Sequence, residues 1–245
     1  MLHAFSRSEM LIGEEGLKKL KESKVAVFGI GGVGSYTVEA LARSGVGKLV
    51  LIDHDEVCIS NINRQIHATS KTVGQSKAEL MKERVLEINP EIEVVAFKEM
   101  YTAETAETLL DKSYDYVVDA IDMVTSKLDL IERTKAMGIP VISAMGAANK
   151  LDPTKLVVTD IYKTSMCPLA KVMRSELRKR GIKKLKVVYS TEAPIKPDQS
   201  LVHGGAGAAR RQTPGSMVFV TATSGLIIAA EVIKDLIDNK INECH

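Results

Sequence analysis

Aromatic residues make up only 4% of the 245, and there is no tryptophan. That leaves little material for a platform that stacks exposed nucleobases. Cysteine is scarce too. Cys58, Cys167 and Cys244 lie far apart and form no C-x-x-C, which excludes a structural zinc site built from cysteine pairs. An odd, sparse count suits a reducing compartment. The net charge of +2 is too small to demand a polyanionic partner, although a local basic face stays open. The opening stretch MLHAFSRSEM lacks a long apolar core, so no secretory signal is expected there. One stretch raises a membrane question, MVFVTATSGLIIAAEVI at 217–233. Thr221, Thr223, Ser224 and Gly225 interrupt it and Glu231 closes it. It reads as a buried helix, since a spanning helix wants about 20 mostly apolar residues.

What is present is ordinary for a globular protein: 45% hydrophobic and 26% charged residues. The length fits one large domain, or one domain with an elaboration. Strand-like runs cover 24–30, 48–53, 93–99, 114–122 and 140–146. Helical patterns fall between them, at 35–45, 76–89, 103–110 and 126–138. This alternation predicts βαβ units and an α/β fold: a Rossmann-like, doubly wound, mainly parallel sheet. Beyond Gly146 a strand is expected over 155–162, then an amphipathic helix over 168–181 with Leu169, Val172, Met173 and Leu177 on one side. Another strand is expected over 185–192. Together these form a C-terminal α/β extension, so 1–150 is read as the nucleotide-binding region and 151–245 as a substrate-binding extension of the same domain. Residues 195–216 are rich in Gly and Pro and read as a long mobile loop.

The chemistry concentrates near the strand ends. GIGGVG follows the first strand and opens a helix, the context a dinucleotide fingerprint requires. Gly29, Gly31, Gly32 and Gly34 are therefore candidate phosphate contacts, with a tight strand-to-helix turn as the plain alternative. Asp53 ends the second strand, where an acid binds ribose hydroxyls. NAD and ATP both fit so far. SNINRQ at 60–65 separates them. A hydride site has no use for extra polar groups beside the phosphates, whereas a triphosphate being cleaved does. Arg64 can fork onto phosphate oxygens, and Asn61 and Gln65 add neutral hydrogen bonds. Lys77 falls in the first turn of a helix, where the dipole disfavours a cation. It is aimed at a ligand or solvated at the surface. Asp119 and Asp122 stand at the carboxyl end of the strand over 114–122. Asp122, past the apolar run, is the candidate Mg²⁺ holder, and Asp119 a cap or orienting group. Lys127 either lies near the phosphates or faces water.

In order, GIGGVG, LIDHDEV, SNINRQ, VGQSKAE and VVDAID resemble the ubiquitin-activating-enzyme superfamily of ThiF/MoeB/HesA type, over roughly Arg7 to Gly146. The resemblance implies that ATP and a carboxylate give an acyl adenylate and pyrophosphate. It implies nucleotide contacts at Gly32 and Asp53, phosphate contacts at Asn61, Arg64 and Gln65, α-phosphate stabilisation by Lys77 and Mg²⁺ on Asp122. Arg7 in FSRSEMLIGEEG matches an arginine that completes the partner subunit's site, which implies a homodimer.

Within that superfamily, KTSMCPLAKVMRSELRKRGI followed by VVYSTEAP resembles the branch that dehydrates threonylcarbamoyladenosine beside the tRNA anticodon. Cys167 departs from the acid expected before PL. The branch implies a cytoplasmic enzyme that activates the carboxylate as an adenylate and lets a neighbouring group of the same side chain close a ring. A tRNA needs positive surface, and Lys171, Arg174, Arg178, Lys179, Arg180, Lys183 and Lys184, joined by Arg210 and Arg211, are the candidates. A solvated helix face is the plainer reading of that run. The rival activity is adenylation of the C-terminal glycine of a ubiquitin-like sulfur carrier, with Cys167 as a thiol. A cysteine desulfurase or sulfur-acceptor partner stays open.

Overall fold

The structure is a computed structural model that describes residues 3–198, 200 and 214–238. Among them, the strands are β1 (Lys24–Phe28), β2 (Lys48–Ile52), β3 (Glu93–Phe97), β4 (Tyr116–Asp119), β5 (Val141–Ala144), β6 (Leu156–Asp160) and β7 (Lys186–Ser190). They form one sheet in the order β3-β2-β1-β4-β5-β7-β6. Every neighbouring pair is parallel except β6 against β7. The helices are α1 (Ser6–Glu22), α2 (Gly34–Arg43), α3 (Lys77–Ile88), α4 (Ala106–Leu109), α5 (Val124–Ala136), α6 (Pro168–Lys179) and α7 (Val218–Asp238). The α/β class and the doubly wound, mainly parallel sheet are as the sequence implies, and the C-terminal extension adds β7 and β6 to the same sheet.

Successive strand residues point to opposite faces, so a sheet covered on both sides needs continuous apolar runs. Val25, Val27, Leu49, Leu51 and Val118 enter one core with α1, α2, α3 and α7. Ala26, Phe28, Val50, Ile52 and Val117 enter the other with α4, α5 and α6. Each fully buried Val, Leu, Ile or Phe is favoured by about 1.5–3 kcal/mol over an exposed one. Helix α7 reaches the nucleotide turn because Gly225 lets it lie against α2. A Cβ at Gly225 would sit 2.4 Å from the Val33 carbonyl oxygen, and Thr37 Oγ1 donates to the Gly225 carbonyl at 3.1 Å.

The structure departs from the expectations in four places. Helix α1 has no counterpart among them, because Gly13, at φ 71°, breaks its period. The strand expected over 114–122 is shorter. After Ala120 N–H bonds the Phe28 carbonyl at 2.8 Å, the chain leaves the sheet. On α6 the buried stripe is Ala170, Met173 and Leu177, while Val172 is 46% exposed. Met173 and Leu177 thus lie on the expected side, and Ala170 takes the place expected of Val172. Finally, α7 is only half buried: Val220, Ile228 and Val232 face the core and Leu226 faces out. Among the described residues no helix is long and apolar enough to cross a membrane. Most of the loop expected over 195–216, including Arg210 and Arg211, lies outside the described residues.

Candidate active site

The carboxyl ends of β1, β2, β4 and β5 open onto a cavity of about 620 Å³, which is where a parallel sheet places ligands. Gly29, Gly31 and Gly32 line it. Gly29 needs its lack of a side chain: its φ is 90° and a Cβ would fall 2.6 Å from the Ala120 carbonyl oxygen. Gly34 does not line the cavity. A Cβ there would lie 1.8 Å from the Gly29 carbonyl oxygen, so the turn itself requires this glycine.

Asp53 closes β2, and its carboxylate accepts from Ile30 N–H at 2.6 Å and Asp55 N–H at 2.8 Å. Burial pushes its pKa up, while those two N–H bonds and Lys77 pull the other way. The SNINRQ segment begins in a single 3₁₀ turn, Ile59–Asn61, tied by Cys58 N–H to Asn61 Oδ1 at 3.0 Å. Arg64 Nη1 donates to the Ser60 carbonyl at 2.9 Å and to Asn63 Oδ1 at 3.0 Å. Asn61 and Gln65 are buried on the cavity wall, and Gln65 Oε1 has no partner among the described residues. A buried acceptor left open is costly and suits a site completed by a ligand or water.

Lys77 is the first residue of α3, buried on the cavity wall, and its ammonium pairs with Asp55 at 2.6 Å. It is therefore not a solvated surface lysine. His67 lies behind it. Burial, with the fields of Lys77 and Arg84, pushes its pKa down to about 4, so the ring is neutral near pH 7 and adds no charge to the site. Asp122 is exposed on the cavity wall. Asp119 is buried below it, accepting from Ser143 Oγ at 2.5 Å and pairing with Lys127 at 2.9 Å. Lys127 is fully buried and also donates to the Ala144 carbonyl at 2.9 Å. It does not line the cavity and does not face water, because Asp119 and the end of β5 claim it. Arg7 is exposed on α1 and does not line the cavity of its own chain.

Sequence reading missed part of the wall. Asp55 and His54 follow Asp53, and Tyr101 and Ser126 complete the side under β4. The far half is made by 144–148, Leu169, Pro214 and Ser216, while Thr221 lies against the glycine turn, 3.3 Å from where a Cβ on Gly32 would sit. The only signal for Thr221 was a hydroxyl inside an apolar run.

The profile of the ThiF family matches residues 5–244. The chain belongs to the ThiF family. The tRNA threonylcarbamoyladenosine dehydratase of Bacillus subtilis is 51% identical over 243 residues, 97% of this chain and 96% of that one. The Escherichia coli enzyme of the same name is 38% identical over 252 residues, 95% of this chain and 92% of that one. A crystal structure of the latter in complex with ATP has a TM-score of 0.87 at 36% identity, covering 98% of this chain and 96% of that one.

In this ThiF-family chain the basic run on α6 is less free than its sequence suggests. Arg174 turns inward, donating to the Thr164 carbonyl at 2.9 Å and to Thr164 Oγ1. Lys179 and Arg180 pair with Glu176 at 2.7 and 3.0 Å. Such exposed pairs are worth about 0–1 kcal/mol, so a phosphate can displace them. Lys171, Arg178, Lys183 and Lys184 are exposed and outside the ion pairs found among the described residues. Arg178 lies over the Tyr162 ring at 5.4 Å. Cys167 is buried and caps α6, its sulfur accepting from Ala170 N–H at 3.5 Å.

Proposed function

We propose that this protein uses ATP to adenylate the carboxylate of threonylcarbamoyladenosine in tRNA, and that the activated side chain then closes on itself. The observation that carries this reading is one cavity that gathers the glycine turn, Asp53, Arg64, Lys77 and Asp122 in a chain so similar to enzymes of that name. The substrate carboxylate oxygen attacks the α-phosphorus of ATP, and pyrophosphate leaves. A neighbouring group of the same side chain then attacks the acyl carbon, and AMP leaves with the oxygen. The net change in the nucleoside is the loss of one water. No enzyme nucleophile is needed, which agrees with Cys167 acting as a helix cap. Holding both reacting groups in one side chain supplies the entropic advantage.

In this reading Gly29, Gly31 and Gly32 let the backbone approach the phosphates, and Asp53 holds the ribose. Arg64 forks onto the outgoing phosphates, with Asn61 and Gln65 beside them. Lys77 meets the charge that develops at the α-phosphate. The donor set fits Mg²⁺, because Asp122 offers a hard, exposed carboxylate on the cavity wall. The ion would neutralise charge on the triphosphate. Arg7 completes the site of a second copy. Its exposure on α1, next to Met10 at 85% and Leu11 at 88% exposure, supports a face covered by that copy. The C-terminal extension adds Leu169, Pro214 and Ser216 to the far half of the cavity and supplies the basic approach to it. A cytoplasmic reaction fits ATP and tRNA as substrates.

The direct test is incubation with ATP, Mg²⁺ and threonylcarbamoylated tRNA, followed by nucleoside mass analysis. Loss of one water is expected. No mass change with tRNA, together with adenylate formed on a ubiquitin-like sulfur carrier, would replace this reading with the carrier-activating one. A second prediction concerns the approach surface. Charge reversal at both Lys183 and Lys184 should weaken tRNA binding and flatten its salt dependence by about one to two phosphate contacts. An unchanged slope in a salt titration would remove those lysines from the interface.

A further inference from the structure

Asn149 holds a left-handed backbone, φ 59°, rare for a residue with a side chain. Such a conformation persists where its surroundings over-determine it, and three hydrogen bonds do so here. Asn149 N–H donates to the Gly215 carbonyl at 2.8 Å, and Ile195 N–H donates to the Asn149 carbonyl at 2.9 Å. Gly215 N–H donates to Asn149 Oδ1 at 2.7 Å. One residue after the 144–148 wall thus grips Gly215 by both its polar groups.

The next residue continues the chain of contacts. Asn63 Nδ2 donates to the Ser216 carbonyl at 2.8 Å. Asn63 Oδ1 accepts from Arg64 Nη1 at 3.0 Å. A continuous path therefore runs from Asn149 through Gly215, Ser216 and Asn63 to Arg64. Its two ends stand on the two halves of the cavity. Arg64 belongs to the phosphate half, and 144–148 with Pro214 and Ser216 belong to the far half.

We propose that Asn149 and Asn63 are positioning residues that aim the Arg64 guanidinium and couple it to the far half of the cavity. The inference rests on the ATP reading above. The physical reason is the amide of Asn63, which is exposed and uses both ends. With Nδ2 held by Ser216, Oδ1 has one direction in which to face Arg64. Released, that side chain turns freely, and the guanidinium loses one of its two anchors. A second substrate that displaces Ser216 moves the same linkage, so its binding and that of the nucleotide affect each other equally.

The test compares ATP affinity and ATP–pyrophosphate exchange in the full chain for Asn149→Gly, Asn149→Asp, Asn63→Ala and the Asn149→Gly/Asn63→Ala pair. Glycine keeps the left-handed backbone and removes only the side-chain acceptor, whereas aspartate keeps an acceptor at the same place. Asn149→Gly and Asn63→Ala should each raise the KM for ATP about three- to tenfold, the range of one hydrogen bond, with a smaller change in kcat. The pair should be no worse than the weaker single variant, because both cut one path. Asn149→Asp should restore the wild-type KM. Multiplying effects, no rise in KM, or no rescue by aspartate would each overturn the proposal. A wild type that binds no ATP overturns the ATP reading and this one with it. A wild type that binds ATP while its variants match it overturns this one alone.

Discussion

Lys77→Ala should lower ATP–pyrophosphate exchange by about 100- to 1,000-fold, the usual cost of removing one group aimed at developing charge. The sequence already places a cation where a helix dipole disfavours it, and the structure shows how it is held. The ammonium is buried on the cavity wall and paired at 2.6 Å with Asp55, whose side chain is 49% exposed. When the lysine is removed, Asp55 turns to water, and the buried Asp53 carboxylate keeps its N–H bonds from Ile30 and Asp55. The fold should therefore survive, and the thermal midpoint should move little. Asp122→Ala should act in the same direction and raise the Mg²⁺ concentration needed for exchange. Exchange at the wild-type rate in Lys77→Ala would remove this lysine from the α-phosphate.

Lys127→Met should be the opposite case, a large loss of stability. Its side chain and that of Asp119 are both 0% exposed at 2.9 Å. Taking one partner away leaves the other buried and uncompensated, at a cost of about 3–5 kcal/mol. Ala144 also loses the bond that ties the end of β5 to α5. Changing Asp119 to Asn in the same chain removes the stranded charge and should recover much of the loss. Denaturant midpoints for the wild type, the single and the double variant measure both effects. A single variant within about 1 kcal/mol of wild type would mean that the pair is not the buried unit described here.

The two lysines show what was legible in the chain. For Lys77, position relative to a helix start was enough to single it out, because the dipole argument needs only local sequence. For Lys127, burial excludes the water-facing reading, and the side chain stays off the cavity wall. Its partners are Asp119 on β4 and the carbonyl of Ala144 on β5, and helical spacing says nothing about which strand ends lie below. Arg174 repeats the lesson. It looks like part of a basic face, but Thr164 draws it inward. Gly34 reads as a phosphate contact, and only the fold shows that the Gly29 carbonyl leaves no room for a Cβ there.

The order of strands and helices beyond α1 and the parallel sheet are legible in the chain, and so are the motifs that line the nucleotide side of the cavity. Each depends on apolar period or on motifs whose residues are near neighbours: GIGGVG with its helix, Asp53 at a strand end, SNINRQ as one loop. Packing alone decided the rest. The far wall is assembled from the end of β5, Leu169 on α6 and the segment before α7, while Gly225 lets α7 settle on α2 and bring Thr221 to the glycine turn. Side-chain direction at Lys127, Arg174 and Asn149 is set by groups from remote segments, and no local pattern carries that information.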